Sequence, residues 1–423
     1  MNWPNVSIED TAEVKGGKRL PKGHDFAGTP TRHLYIRARD IGAGKIQCDQ
    51  PVYISDETHS KISRYTVEAG DIVITIVGAN VGDVGYVTEE LAGANLTENA
   101  AKLVVDRQKH DPVFLKYFLS SKLSKDRLAF LASGAAQGKL GLYKIKRFSI
   151  PRPPLPIQKN VASILSTYDD LIENNRRRIA LLEEAARLLY REWFVHFRFP
   201  GHEHVKIIDG VPEGWKLTSP DRFIANHIGG GWGKDEPEGQ HTAEVYVIRG
   251  TDIPNLTYGG KGGAGVRYEK ESSLRSRLLT TCDVIFEVSG GSSIQPIART
   301  LLVTDSFLKR FDHPVICASF CKRLSFGNEK EALFFHYHVL ENRDNGRVLQ
   351  FQKESASSLK NFNFKGFLET YQLLVPSEHL MGAFFDEVCN LIQQKEILAQ
   401  SIFQLEHARD LLLPRLMDGR LEV

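Results

Sequence analysis

Residues 158–193 read QKNVASILSTYDDLIENNRRRIALLEEAARLLYREW, without a Gly or a Pro. Leu165, Tyr168, Ile172, Asn175, Ile179, Leu182, Ala186, Leu189 and Trp193 recur in it at alternating steps of three and four. Asn175 is the one polar interruption. That spacing predicts a coiled-coil seam rather than the broader stripe of a surface helix. At 1.5 Å of rise per residue, the seam from Leu165 to Trp193 is about 42 Å long. Pro151, Pro153, Pro154 and Pro156 stand before it and Pro200-Gly201 after it, so the helix is bounded at both ends.

The same pattern returns 223 residues later at Val388, Leu391, Lys395, Leu398, Ile402, Leu405, Arg409 and Leu412, and Pro376 marks the entrance as Pro151 does in the first copy. Lys395 and Arg409 interrupt this seam as Asn175 interrupts the first. Polar residues there cost stability but fix register and partner choice. The segments outside the helices repeat as well. At an offset of 212, Trp3 matches Trp215, Asp40-Ile41 matches Asp252-Ile253, Asp71-Ile72 matches Asp283-Val284, and Gly78 matches Gly290. The chain therefore reads as a duplicated unit of roughly 200 residues with unlike surfaces on a shared plan.

This gives four segments: a first globule over 1–150, a central helix over 151–199, a second globule over 200–375 and a C-terminal helix over 376–423. The fold class expected is α+β (mixed): two α/β globules separated by two long helices that form an antiparallel coiled coil, with internal pseudo-two-fold duplication. In the first globule, 33–37 (HLYIR), 71–77 (DIVITIV) and 84–87 (VGYV) read as strands. A helix is predicted over 112–122, with Asp111 as N-cap and Pro112 at the first position. The basic run 143–150 reads as a strand.

The 423 residues are 42% hydrophobic and 25% charged, which describes a folded protein with real cores. The net charge of +2 says little, but its distribution says more. Between Asp126 and Asp169 there is no acidic residue, while Arg127, Lys139, Lys144, Lys146, Arg147, Arg152 and Lys159 all lie there. Such a run is a solvated face or a surface for a polyanion. Five cysteines, an N-terminus without an apolar core and no run of ~18 apolar residues point to a reducing cytoplasm, no structural disulfides and no membrane span.

No catalytic motif is complete. The runs 134–140 (GAAQGKL) and 229–235 (GGGWGKD) miss the spacing and the hydroxyl of a phosphate-binding loop. No dinucleotide fingerprint is present, and Arg152-Pro153-Pro154-Leu155 lacks the amide and the aromatic with which an amino-methyltransferase holds its base. Asp283 and Glu287 resemble the start of a metal-nuclease site, but no Glu-x-Lys follows. His313, Cys317, Cys321, His336 and His338 are residue types that bind zinc. The run around the cysteines (PVICASFCKRL) instead reads as a buried strand or helix, where free Cys acts as a small hydrophobe.

Binding chemistry remains. Loops that draw on glycine, basic and amide residues occur at 15–19, 137–139, 229–234 and 259–263, with a basic and amide stretch lacking glycine at 357–361. Glycine lets backbone approach phosphate closely, lysine neutralises it, and Arg, Asn or Gln can read base edges. The candidate contacts to double-stranded DNA are Lys15, Lys18, Arg19, Gln137, Lys139, Lys144 and Lys146 in the first half. In the second half they are Lys234, Lys261, Arg267, Lys360 and Asn361. No catalytic and no metal-binding residue is assigned.

The segment Pro151-Arg-Pro-Pro-Leu-Pro-Ile-Gln158, followed by Ile164-Leu165-x-x-x-Asp169-x-x-Ile172, resembles the entry into the conserved helix of type I restriction–modification specificity (S) subunits. The strand start at 70–74 and the stretch 133–140 are similar to their target-recognition domains. The second helix entry, 374–378 (LVPSE), lacks the double proline and the Gln. The resemblance implies a non-catalytic subunit in which each globule reads one half of a split, asymmetric DNA target. It implies that the helices space the halves and dock methyltransferase (M) subunits, and that restriction (R) motor–nuclease subunits join that core. S-adenosylmethionine, ATP and magnesium would belong to those partners and no cofactor to this chain. Tyr168, Arg177, Glu184, Arg191, Leu398 and Leu405 are the candidate partner-binding residues on the helices. The alternative is a two-headed protein-binding scaffold without a DNA role, against which the acid-free basic stretch argues.

Overall fold

In a computed structural model the described residues are 3–133, 138–260, 262–263, 265–290, 296–354 and 359–423. They form two compact units, Met1–Asp170 with Leu405–Val423, and Leu171–Gln404. The long helices are therefore shared. The first turns of the central helix and the last turns of the C-terminal helix belong with the first globule.

The first unit has a four-stranded antiparallel sheet built from β1 (Ala12–Gly16), β4 (Ile72–Thr75), β5 (Val84–Tyr86) and β7 (Ala100–Val105), in the order β1-β7-β4-β5. A smaller sheet carries β2 (His33–Ile36) between antiparallel β3 (Tyr53–Ile54) and parallel β6 (Asn95–Leu96). β4 is buried on both faces, and its period of two divides it between two cores. Ile72, Ile74 and Ile76 face one core, with Leu115 and Leu128; Val73 faces the other, with Ile36 and Leu96.

The second unit repeats both sheets. β8 (Asn226–Gly229), β11 (Val284–Glu287), β12 (Thr300–Leu302) and β14 (Cys321–Ser325) run antiparallel in the order β8-β14-β11-β12. β9 (His241–Ile248) sits between antiparallel β10 (Val266–Lys270) and parallel β13 (Val315–Cys317). The central strand again splits by parity, Val284 and Phe286 to one core and Ile285 to the other. Even the turns match. Arg37 grips Asp40 with its backbone N–H, Nε and Nη2 at 2.9, 2.9 and 2.8 Å, and Arg249 grips Asp252 at the same three distances.

Two local expectations need correction. The helix expected over 112–122 stops at Ser120, and a second begins at Lys122: α1 is Pro112–Ser120 and α2 is Lys122–Ala132. Ser121 is extended, and its hydroxyl accepts from Ser124 N–H, so it caps the second helix. The strand expected over 143–150 is instead a short helix, α3 (Leu142–Lys146), with strand only at Ser149–Pro151. Leu142, Ile145 and Phe148 recur every third residue. That places one apolar side inward, which an alternating strand cannot do.

The central helix α4 (Leu155–Phe194) starts earlier than the seam, because Pro156 in its first turn needs no N–H donor. Buried Gln158 fixes its entrance by donating to Pro153 O at 2.7 Å and accepting from Asp111 N–H at 2.8 Å. α5 (Glu329–Asp344) lies in the second globule, and α6 (Glu378–Met417) closes the chain, with Pro414 in its last turns. In each unit α4 and α6 pair antiparallel. In the first, Val161 and Leu165 meet Leu416 and Met417, and Asp169 binds Arg409 at 2.7 Å. In the second, Asn175 donates to Ser401 and Lys395 binds Glu183. Nearer the globule, Tyr190, Trp193 and Phe194 pack on Phe384. All three polar interruptions of the predicted seams thus have partners on the facing helix.

Candidate nucleic-acid interface and helix surface

Each unit brings three separate turns together by backbone hydrogen bonds. In the first, Gly17 N–H donates to Ala100 O at 3.0 Å and Lys18 N–H to Leu96 O at 2.8 Å. Ile76 N–H donates to Asn99 O at 2.8 Å, and Leu140 N–H to Ile76 O at 2.9 Å. In the second, Gly230 donates to Cys321 O at 3.0 Å and Gly231 to Cys317 O at 2.9 Å. Val288 donates to Phe320 O at 2.9 Å, and Phe362 to Val288 O at 2.8 Å. A Cβ on Gly17 would stand 2.0 Å from Thr97 O, and one on Gly230 would stand 2.2 Å from Ala318 O. Only glycine permits either approach. These bonds define the equivalence of Arg19 with Trp232, Asn99 with Phe320, and Lys139 with Asn361.

In the first unit Lys15, Lys18, Arg19, Lys139 and Lys146 are exposed. The turn after β1 and helix α3 are neighbours, since Leu142 lies 3.7 Å from the Cβ position of Gly16. Lys15 pairs with Glu13 at 2.7 Å, and Lys18 stands 5.7 Å from the Tyr65 ring centre. Arg19 Nε donates to Glu98 at 2.7 Å, and that carboxylate raises its pKa further. Lys144 differs from the expectation. Its amine donates to Leu131 O near the end of α2, where a cation offsets the helix dipole, so it is structural. Gln137 lies outside the described residues.

In the second unit Lys234 is exposed and pairs with Glu238 at 3.3 Å. Arg267 is not open to a ligand as expected: its donors go to Asp235 and to the carbonyls of Trp232 and Gly233, and its guanidinium lies 5.0 Å from the Trp232 ring centre. Lys360 is also corrected. It lies within a strand, Lys360–Phe362, and is only 6% exposed, so it cannot reach a phosphate from an open loop. Asn361 is exposed and accepts from Ser289 Oγ at 2.7 Å. Lys261 lies outside the described residues. Sequence reading overlooked Trp232 and Phe320, which are 42% and 50% exposed. The second was hidden in a run read as wholly buried.

On the helices, Arg177 and Glu184 are exposed and Tyr168 and Leu405 half-buried. Leu398 is buried in its seam, so it is unavailable to a partner. Arg191 is held by Glu341 through Nε at 3.1 Å and Nη2 at 3.0 Å, so it ties the helix to its own globule. Around Asp169, burial raises the pKa, but hydrogen bonds from Tyr117 and Arg409 and the charge of Lys116 outweigh it, leaving a net depression.

The zinc-type residues do not gather. His336 binds Thr300, and His338 lies between Tyr190 and Tyr371. Burial pushes the Cys317 thiol up to about 12, far from the thiolate a metal needs. Asp283 accepts from Thr280, Arg323 and Ser325, and Glu287 is gripped by Arg299, so neither carboxylate is free for chemistry. Among the described residues no group of three or more His, Cys, Asp or Glu is arranged for a metal ion, and no helix is long and apolar enough to cross a membrane.

Two copies of one hydrogen-bond frame, with unlike exposed turns and a pair of long antiparallel helices, define a duplicated α+β protein. The family model for the type I restriction modification DNA specificity domain matches residues 1–184, so the first unit and the start of the central helix are similar to that family. The chain is similar to the type I restriction enzyme MjaIX specificity subunit of Methanocaldococcus jannaschii, with 24% identity spanning 100% of this chain and 94% of that one. The putative MjaX specificity subunit of the same organism is 27% identical over 51% of each chain. The crystal structure of a type I system S subunit from M. genitalium shares the fold, with a TM-score of 0.53 at 17% identity, covering 99% of this chain and 96% of that one.

Proposed function

We propose that this chain is the non-catalytic DNA-reading subunit of a type I restriction–modification complex, each unit reading one half of a split target. The observation that carries this reading is the matched frame. The same backbone bonds present Arg19, Asn99 and Lys139 in one unit and Trp232, Phe320 and Asn361 in the other. One scaffold with unlike side chains suits two unlike half-sites. The exposed lysines beside the Gly17 turn supply phosphate neutralisation.

The paired helices then set the separation of the half-sites and dock methyltransferase subunits. Leu171, Leu181, Leu188 and Ile397 support the docking role, being large apolar side chains left exposed on α4 and α6. Motor–nuclease subunits join that core. S-adenosylmethionine belongs to the methyltransferase, and ATP and magnesium to the motor. Titration of duplex binding with salt tests the reading. If six or more phosphates are contacted, affinity should fall by roughly a thousandfold or more between 50 and 200 mM salt. A flat salt dependence would favour a protein-binding scaffold instead. Transfer of tritium from S-adenosylmethionine to DNA by the purified chain, or nicking by it, would contradict the non-catalytic assignment.

A further inference from the structure

We propose that Trp232 and Phe320 are the specificity-determining side chains of the second unit, and that they read thymine-bearing base pairs by apolar contact with the 5-methyl group. The inference rests on the DNA-reading function proposed above and assigns its chemistry in one half-site.

Trp232 and Phe320 occupy the frame positions that hold Arg19 and Asn99 in the first unit. Gly231 N–H to Cys317 O and Gly230 N–H to Cys321 O tie their two turns together. Phe320 O accepts from both Val288 and Ser289, and Ser289 Oγ donates to Asn361, so Ser289 links the Phe320 turn to the Asn361 amide. Trp232 is held from one side. Arg267 lies over its ring, donates to its carbonyl and is itself anchored by Asp235. A preset indole and an exposed phenyl cannot neutralise phosphate. They can cover the thymine methyl in the major groove, which cytosine lacks. Two large aromatics kept half-exposed at built positions are otherwise unfavourable in water, and they mark a surface that becomes covered. Arg267 is a positioning residue here rather than a reader.

The test uses the full chain assembled with its methyltransferase partner, in selections from duplexes randomised at both half-sites. Trp232→Ala and Phe320→Ala should each relax one half-site at a thymine position, with roughly 5- to 150-fold loss of discrimination, and leave the other half-site sharp. Retained preference at the remaining positions of the same half-site, with an unchanged urea midpoint for the second unit, shows that the variants are folded there. Replacing the selected thymine by uracil should produce the same loss with the unaltered chain. The slope of log affinity against log salt should not change in either variant, whereas Lys139→Ala should reduce it by about one. Arg267→Met should blur the same position as Trp232→Ala. Unchanged preference in both aromatic variants would overturn the inference, as would indifference to uracil or a salt slope lowered by Trp232→Ala. An unaltered chain with no bipartite preference would instead remove the underlying function.

Discussion

Replacing Lys395 with Met should destabilise the second unit by about 3–5 kcal/mol, and adding Glu183→Leu should recover most of that loss. Lys395 Nζ lies 2.8 Å from Glu183 Oε2, and the two side chains are 15% and 5% exposed. At that separation an effective dielectric of about 20 gives about 6 kcal/mol of attraction. Removing each ion from water costs several kcal/mol against it. Glu183 Oε1 adds to that cost, because among the described residues it is buried with no hydrogen-bond partner. The intact pair therefore contributes little net stability, while half of it is strongly unfavourable. The two single variants should also differ. Lys395→Met strands a buried carboxylate. Glu183→Leu leaves an amine on a long, less buried stem that can turn toward water, for a loss of roughly 1–3 kcal/mol. Urea unfolding followed by tryptophan fluorescence would report this unit, since Trp193, Trp215 and Trp232 lie in it and only Trp3 lies in the other. A double variant as unstable as the two single losses added together would refute the coupling.

Inserting one heptad after Ile179 and another after Ile402 preserves both seams and lengthens the paired helices by ~10.5 Å, or about three base pairs. Selection with randomised spacers should then prefer a longer gap with unchanged half-sites. Some affinity should be lost, because three extra pairs rotate the far half-site by roughly 100°. Acid should weaken the second unit in a defined window. Burial holds the imidazoles of His336 and His338 down to about 3, while an unfolded histidine titrates near 6.5. The unfolded chain thus takes up protons first. Stability is full above about pH 6.5 and falls as pH drops toward 3, with a slope approaching about 1.4 kcal/mol per pH unit for each histidine. His338→Gln should flatten urea midpoints measured across that window. On the helix face, Arg177→Ala and Glu184→Ala should weaken methyltransferase assembly in size-exclusion experiments without lowering the melting temperature. Arg191→Ala should lower the melting temperature, because Glu341 loses its partner.

The long helices were legible because a seam needs only periodicity and the absence of breakers, and 158–193 supplies both. The duplication was legible at Asp40 and Asp252 because the Arg–Asp turn they close is local in sequence. The second sheet equivalence was not, since it depends on bonds such as Lys18 to Leu96 that join residues far apart. Lys144 and Arg267 were misread for a related reason. A basic residue beside a glycine-rich loop looks free in sequence, and only the fold supplies the carbonyls and carboxylate that occupy it. Lys360 was taken as loop surface, yet strand pairing with Gln352–Glu354 and Ser289–Gly290 buries it. Phe320 was lost in an apolar run because a turn, invisible to composition, lifts it out between two buried cysteines.

The central claim is that reading is modular, one half-site per unit. Its most direct test is exchange of residues 1–150 for the equivalent domain of a relative with a different target, followed by selection of bound duplexes with the assembled methyltransferase. The half-site read by the first unit should switch to that of the donor. The other half-site and the preferred spacing should stay as they were. A folded chimera in which both half-sites change, or neither does, would contradict the account.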